Sequence, residues 1–134
     1  NELPKGIVHG DCFADNTIFN GDKLKAIIDF EEFCYETLIY DLGMTINGFC
    51  FKDNNLQNDL MLSLIHEYEC VRKLTDKENE LLPYYIQWAA HGMLYWHLRN
   101  NMLYTLNPTQ VERVRELMNR VKNLRKININ KNNR

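Results

Sequence analysis

The sequence lacks several patterns that would assign a class of function directly. No two of its four cysteines form a C-x-x-C pair, the spacing that binds zinc or forms a redox centre. No apolar run approaches the roughly 20 residues that a membrane span needs. Sixteen basic against 18 acidic residues give a net charge of −2, which offers no general attraction for nucleic acid or an anionic membrane. We therefore expect a soluble cytoplasmic protein with free, mostly buried thiols and with neither a nucleic-acid nor a membrane partner.

Glycine-rich phosphate loops are also missing from the sequence. Neither G-x-G-x-x-G nor G-x-x-x-x-G-K-[ST] occurs among its six glycines.

The chain has 134 residues and is 45% hydrophobic, which suits one domain with a core of its own. We place this domain at residues 1–127 and expect the basic, asparagine-rich end at 128–134 to be disordered.

The first thirty residues have the patterns of short strands. The segment 6–11 (GIVHGD) predicts a short buried strand that runs into a loop. The segments 17–19 and 24–29 flank an Asn-Gly turn signal and predict a hairpin. Because the ends of an antiparallel hairpin meet, Asn16 and Asp29 are expected to be neighbours in space.

After Phe30 the apolar residues recur at helical spacing. The pattern covers four segments: 38–49, 60–71, 86–98 and 111–124. Thr75 and Glu78 have the spacing of a capping box, and Pro83 is predicted to open a separate helix. Asn107 and Pro108 are predicted to start the last helix. The fold class predicted from this order is α+β, mostly α.

Polar residues that can bind a metal ion or transfer a proton cluster in residues 9–16, HGDCFADN. Magnesium prefers hard oxygen ligands, and Asn16 with Asp29 from converging ends would supply an amide and a carboxylate oxygen. A further carboxylate close to the metal, Asp11, can accept a proton from an attacking hydroxyl. These are the parts required for phosphoryl transfer to an alcohol.

The spacing is similar to the protein-kinase signature, in which Asn follows the catalytic Asp by five residues and D-F-G comes later. Gly10 and Glu31 depart from that signature. The form HGD…N…IDFE resembles instead the aminoglycoside phosphotransferase and choline kinase-like family of small-molecule kinases. Residues 8–51, with YDL and T-x-N after Asp29, look most like its homoserine kinase branch. The resemblance implies the helical C-lobe of a protein-kinase-like fold, with a catalytic loop and a small β-hairpin.

The resemblance also implies a role for each matching residue. Asp11 would be the catalytic base or would orient the hydroxyl of a small-molecule substrate. Asn16 and Asp29 would bind Mg²⁺ and, through it, the phosphates of ATP. His9 would orient the loop by hydrogen bonds, and Asp41 would brace the loop from the following helix, although it also suits a helix N-terminus.

Two further residues are weaker substrate candidates. Asn47 would contact the substrate or would pack within the helix, and Arg99 would meet a substrate carboxylate or form a surface salt bridge. Trp88, Tyr95 and Trp96 are expected to be core residues or to line the substrate pocket.

The sequence contains no glycine-rich loop to hold the phosphates of a nucleotide, and this absence leaves two interpretations of the chain. In the first, the chain resembles the C-terminal part of a kinase whose N-terminal nucleotide-binding lobe is cut away, encoded separately or lost, and is itself inactive. Its first substrate candidate is homoserine, followed by choline, an aminoglycoside or a sugar. In the second, a non-catalytic remnant serves as a helical interaction module and self-associates through exposed apolar surface. A metallophosphoesterase would need further metal ligands, and His66, His91 and His97 lie within helical patterns without them.

Overall fold

The computed structural model describes residues 2–100 and 108–125. Its elements, in chain order, are β1 Lys5–Val8, a 3₁₀ turn Ala14–Asn16, β2 Thr17–Asn20, β3 Lys23–Ile27, β4 Cys34–Thr37, α1 Leu38–Phe49, β5 Phe51–Lys52, β6 Asn55–Leu56, α2 Asn58–Val71, α3 Asp76–Leu98 and α4 Pro108–Leu124. The strands form three two-stranded antiparallel sheets, β1 with β4, β2 with β3, and β5 with β6. The predicted α+β, mostly α class is confirmed. The expected tail at 128–134 and the predicted cap at Asn107 lie outside the described residues.

The β2–β3 hairpin is confirmed, with its turn displaced by one residue. Asn20 pairs with Lys23, so the two turn residues are Gly21 and Asp22 rather than Asn20 and Gly21. Gly21 has φ +58°, a conformation that glycine adopts without steric cost. The backbone amide of Ile28 then donates to the Asn16 carbonyl at 2.9 Å and closes the base of the hairpin.

The strand β1 forms, but it is not the buried strand that its sequence predicts. Of its four residues only Val8 is buried, and two of the four residues of its partner β4 are exposed as well. Strand β4 lies where helical spacing was expected to begin, directly before α1. Its pairing with β1 is between residues distant in sequence, so no local pattern marks it.

The prediction of a new helix at Pro83 is wrong. Helix α3 runs unbroken from Asp76 to Leu98, and Pro83 lies inside it. A proline removes one intrahelical hydrogen bond. Leu82 and Ile86, on either side of Pro83, are both buried in the core, and their burial keeps the helix continuous. The capping box at the start of α3 is confirmed, since Thr75 and Glu78 exchange both of its hydrogen bonds.

The core lies between α1, α2, α3 and α4 and consists of apolar side chains: Ile39, Leu42, Ile46, Cys50, Met61, Ile65, Leu74, Leu82, Ile86, Ala90, Val121 and Leu124. Most come from the positions that helical spacing predicts. Leu60 and Val71 of α2 also have this spacing, but both are exposed and do not belong to the core. No helix in the described ranges is long and apolar enough to cross a membrane.

The four thiols are free, as predicted, but they are not mostly buried. Cys50 is buried and Cys12 is half-buried, whereas Cys34 and Cys70 are exposed. Cys34 belongs to the surface strand β4, and Cys70 points outward from the last turn of α2. Burial raises the pKa of the Cys50 thiol to about 11, so this thiol remains protonated at neutral pH.

Candidate active site

The loop that follows β1 is held from below by the first turn of α1. The two carboxylate oxygens of Asp41 accept hydrogen bonds from the backbone amides of His9 and Gly10, at 3.1 and 2.9 Å. Gly10 has φ +84°, and a Cβ at this position would lie 2.7 Å from the Glu32 carbonyl oxygen. Only glycine therefore fits this turn, which brings the loop against the segment after β3.

The imidazole of His9 connects the loop to the end of the hairpin. Its Nε2 lies 2.9 Å from the carbonyl oxygen of Ile28, and its Nδ1 lies 3.2 Å from the backbone amide of Asp11. These partners fit a neutral ring that donates from Nε2 and accepts at Nδ1. The ring also packs on Phe30, with the centroids 4.5 Å apart. His9 is buried, and its hydrogen bonds join the loop to the residue that follows β3.

Asp11 and Asn16 are joined across the loop. The amide nitrogen of Asn16 donates to the Asp11 carbonyl oxygen at 2.8 Å and to the Asp11 carboxylate at 2.9 Å. Burial raises the pKa of Asp11, the hydrogen bond from Asn16 opposes this, and the charges of Asp15 and Asp29 add to the increase. A carboxylate with a raised pKa is a stronger base, so the surroundings of Asp11 suit it to accept a proton.

Asn16 and Asp29 come together at the base of the hairpin. The bond from the Ile28 amide to the Asn16 carbonyl places Asp29 one residue beyond that contact. Asp29 is exposed and has φ +64°, so the backbone leaves the extended conformation of β3 at this residue. The Asn16 amide nitrogen is occupied by Asp11, which leaves its amide oxygen on the other side of the group.

The donor set of this loop fits magnesium. It offers one amide oxygen and carboxylate oxygens, which are hard ligands, and it contains neither thiolate nor a free imidazole. The described part of the chain has no group of three or more His, Cys, Asp or Glu side chains arranged to hold a metal ion. An ion at this loop would therefore depend on a few protein oxygens together with those of a bound phosphate.

The two weaker substrate candidates lie elsewhere. Asn47 is 2% exposed, and its amide nitrogen donates to the carbonyl oxygens of Gly43 and Ile86 at 2.9 and 2.8 Å, which joins α1 to α3. This geometry corresponds to the packing alternative, so the substrate role of Asn47 has no support from the structure. Arg99 caps the C-terminus of α3 and is exposed, and its substrate role stays a prediction.

Gly48 of α1 is a loop contact that the sequence reasoning missed. A Cβ at Gly48 would lie 2.8 Å from the Phe13 ring and 2.9 Å from the Cys12 carbonyl oxygen. The loop therefore rests directly on the helix backbone. A glycine within a helical pattern is a weak signal for such a contact, because Gly92 also lies in a helix and a Cβ there would meet no atom within 4 Å.

We expect Gly48→Ala to displace the loop and to lower any activity that depends on Asp11 by up to about 10²-fold. The added methyl group should also reduce the free energy of unfolding by about 1–3 kcal/mol. Gly92→Ala is the matched control, because a Cβ at Gly92 meets no atom within 4 Å. Turnover and chemical denaturation of the two variants, measured side by side, check this. A Gly48→Ala variant that behaves like Gly92→Ala would refute the close contact.

The sequence is similar to a known enzyme family and to several curated proteins. Residues 1–74 match the phosphotransferase enzyme family. A homoserine kinase of Rhizobium meliloti is 40% identical over 90 residues, which are 66% of this chain and 28% of that protein. Homoserine kinases of Methylobacillus flagellatus and Gluconobacter oxydans are 35% identical over 103 residues and 37% identical over 98 residues. These matches cover 76% and 72% of this chain, and 32% and 31% of the respective relatives.

The chain thus spans less than a third of the length of the curated relatives it matches. The family match includes β1, the loop at 9–16, the hairpin and α1, which are the elements that build the site. The match to the family over more than half of the sequence identifies the chain as a member of the phosphotransferase enzyme family.

Proposed function

We propose that this chain carries the catalytic centre of a small-molecule kinase that transfers the γ-phosphoryl group of ATP to a hydroxyl group. The observation that carries the proposal is the pair of hydrogen bonds from Asn16 to Asp11, at the base of a hairpin that also presents Asp29. In this proposal Asp11 is the proton acceptor, and Asn16 and Asp29 are the two oxygen ligands for a metal. The names of the relatives make homoserine the first substrate to test.

In the proposed reaction, Asp11 orients the acceptor hydroxyl and accepts its proton as the hydroxyl oxygen bonds to the γ-phosphorus. The bond from that phosphorus to the β–γ bridging oxygen breaks, and ADP leaves. Asn16 and Asp29 would hold Mg²⁺, which neutralises charge on the phosphates when it is bound. His9 and Asp41 are positioning residues, because their side chains accept hydrogen bonds from the backbone amides of Asp11 and of the two residues before it.

The proposed reaction also needs groups that hold the phosphates of ATP, and these residues do not supply them. Kinases of this general fold hold the phosphates with a glycine-rich loop and a strand lysine, and the sequence contains no such loop. We propose that an N-terminal nucleotide-binding lobe supplies these groups and that the chain is the corresponding C-lobe.

We also propose a cytoplasmic location, with which the free cysteines and the net charge are compatible.

A phosphate-transfer screen tests this function. The full-length gene product, with ATP and magnesium, should phosphorylate homoserine in preference to choline, methylthioribose and sugars, as measured by coupled ADP release. The 134-residue polypeptide alone should show negligible turnover, because it lacks the glycine-rich loop. Comparable turnover by the isolated chain would refute the need for a second lobe. Absence of transfer to every acceptor by the full-length product would refute the kinase function.

A non-catalytic role is the second candidate, and exposed apolar side chains favour it. Ile7, Phe30, Phe33 and Tyr35 are all more than half exposed along β1, β4 and the segment before β4. Such surface is typical of interfaces, and a second copy of the chain is the partner this reading predicts. A stable homodimer of the gene product without phosphoryl transfer would support it, whereas an active monomer would exclude it.

A further inference from the structure

Arg120 of α4 is a cation buried among the helices. It is 7% exposed, and within the described residues no carboxylate forms an ion pair with it. Burial lowers the pKa of its guanidinium to about 10, so the group still carries its charge at neutral pH. A buried cation without a paired anion costs stability, and an apolar side chain of similar length would avoid that cost. Packing alone therefore does not account for an arginine at this position.

The guanidinium of Arg120 binds the C-terminal end of α1. Its Nη1 donates to the Asn47 carbonyl oxygen at 2.8 Å. This oxygen belongs to the last four carbonyls of α1, which a helix leaves without an intrahelical partner. A cation is favoured at this negative end of the helix dipole. The guanidinium carbon also lies 4.2 Å from the centroid of the Phe51 ring, which stabilises the charge on its other side.

The same turn of α1 supports the loop at residues 9–16. Gly48 follows Asn47, and a Cβ at Gly48 would lie 2.8 Å from the Phe13 ring and 2.9 Å from the Cys12 carbonyl oxygen. The loop therefore rests on the helix backbone one residue after the carbonyl that α4 binds. The Asn47 amide nitrogen also donates to a carbonyl oxygen of α3 at 2.8 Å. Contacts from α3, from α4 and from the loop thus converge on two consecutive residues of α1.

We propose that Arg120 is a positioning residue for phosphoryl transfer, because it fixes the backbone of α1 on which the loop of Asp11 rests. The inference rests on the proposed kinase function and deepens it, because it names a contact outside the site that keeps the site in its working geometry. Arg120 itself touches neither substrate nor phosphate in this proposal. Loss of its contact should therefore displace Asp11 without removing any group that binds a ligand.

The first test compares Arg120→Met with wild type in the full-length gene product. Methionine fills a similar volume but has neither the charge nor the donor. With ATP, magnesium and homoserine, kcat should fall by about three- to thirty-fold, because a small displacement of a reacting group already slows transfer. The KM values for ATP and homoserine should stay within about twofold of wild type, since no contact with a ligand is lost.

Two further variants define what the arginine contributes. Arg120→Lys keeps a cation that can donate to one carbonyl oxygen, a contact that does not need the two-pronged geometry of arginine, and it should recover most of kcat. Arg115→Met is the matched control, because Arg115 lies on the same helix and its pair with Glu112 is exposed. Its kcat should stay within about twofold of wild type.

A second measurement follows the loop without any catalysis. Cys12 is half-buried where the loop rests on α1, whereas Cys34 is exposed on β4 and serves as an internal reference. Arg120→Met should raise the rate at which iodoacetamide alkylates Cys12 by about two- to tenfold, the change in local opening that the loss of one hydrogen bond produces. The rate at Cys34 should not change. Mass spectrometry of the digested protein resolves the two thiols.

Several outcomes would overturn the proposal. If Arg120→Met lowers the midpoint of thermal unfolding but leaves kcat and the alkylation of Cys12 unchanged, the arginine serves stability alone. A change in only one of these two measurements in an active enzyme, or an equal rise at Cys34, would also overturn it. If Arg120→Met does not fold, Phe51→Leu removes the ring beside the guanidinium and should change both measurements in the same direction by a smaller factor. No change in that variant would refute the proposal.

The alkylation measurement also distinguishes this inference from the proposed function. A wild-type protein that transfers no phosphate to any acceptor, but in which Arg120→Met selectively exposes Cys12, would refute the kinase function and leave the support of the loop by α4 intact. An active kinase whose Arg120→Met variant matches wild type in both measurements would refute the role of Arg120 and leave the kinase function intact.

Discussion

Asp11→Asn in the full-length gene product is expected to lower phosphoryl transfer by about 10²–10⁴-fold, the usual contribution of a positioned general base. The substitution keeps the size of the side chain, and its amide oxygen can still accept the hydrogen bond that the Asn16 amide donates at 2.9 Å. It cannot accept the proton of the acceptor hydroxyl. The loss should therefore appear in kcat, with the midpoint of thermal unfolding unchanged.

Asp15→Asn provides the matched control for this experiment. Asp15 lies in the same loop, is exposed, and like Asp29 contributes negative charge that raises the pKa of Asp11. The proposed mechanism gives Asp15 no role. The turnover of Asp15→Asn is therefore expected to stay within a few-fold of wild type, roughly the effect of one screened surface charge. Full turnover by Asp11→Asn would remove Asp11 from the mechanism.

Local sequence patterns predicted the parts of the site that local interactions determine. The turn signal at Gly21 and the alternation on either side of it define the hairpin, and the hairpin brings Asn16 to the backbone next to Asp29. The capping box of Thr75 and Glu78 is likewise a contact between residues three apart. Each of these features needs only a few neighbouring residues, so one sequence is enough to identify it.

Features that depend on distant residues were missed or came only from the family resemblance. Strand β4 exists through its pairing with β1, about thirty positions earlier in the chain, and Gly48 matters because the loop at Phe13 rests on it. The bracing contact of Asp41 joins residues 31 and 32 positions apart. The resemblance suggested that contact, whereas composition and spacing alone gave Asp41 only a helix N-terminus.

Helical periodicity also predicts the existence of a helix better than it predicts what the helix covers. Val71 has the correct spacing for the apolar face of α2, yet it is 93% exposed at the C-terminus of that helix. Pro83 shows the same limitation, because proline normally marks the first turn of a helix. Burial of Leu82 and Ile86 against the core is a tertiary contribution that a local rule does not contain.

The second large effect is expected at Glu78, which combines a helix cap with a buried ion pair. Its carboxylate is fully buried and accepts hydrogen bonds from Arg72 at 2.7 and 3.1 Å. It also accepts the backbone amide and the hydroxyl of Thr75, at 2.9 and 3.0 Å. Arg72 in turn stacks over the ring of Tyr68 and donates to its hydroxyl. One carboxylate therefore joins the end of α2 to the start of α3.

Glu78→Gln is expected to reduce the free energy of unfolding by about 3 kcal/mol, the lower end of the range for breaking a buried ion pair, because Arg72 retains contact with water. The amide can accept at only one oxygen, and its nitrogen would face a donor. Denaturant unfolding of the full-length gene product measures this loss. Glu80→Gln is the matched control, because its pair with Lys77 is exposed and should contribute less than about 0.5 kcal/mol.

The pH dependence of the stability loss in Glu78→Gln distinguishes the loss of a charge from a packing defect. Burial raises the pKa of this carboxyl, but the hydrogen bonds from Arg72 and Thr75 outweigh burial, and its pKa lies below the ordinary value. The stabilisation is therefore complete above the ordinary glutamate pKa of about 4.3 and is lost as the pH falls through the lower value of the folded state. The difference in unfolding free energy between wild type and Glu78→Gln should be constant from neutral pH to about pH 5 and should shrink in more acidic solution. A difference that stays constant at acidic pH would assign the loss to shape rather than to the charge of Glu78.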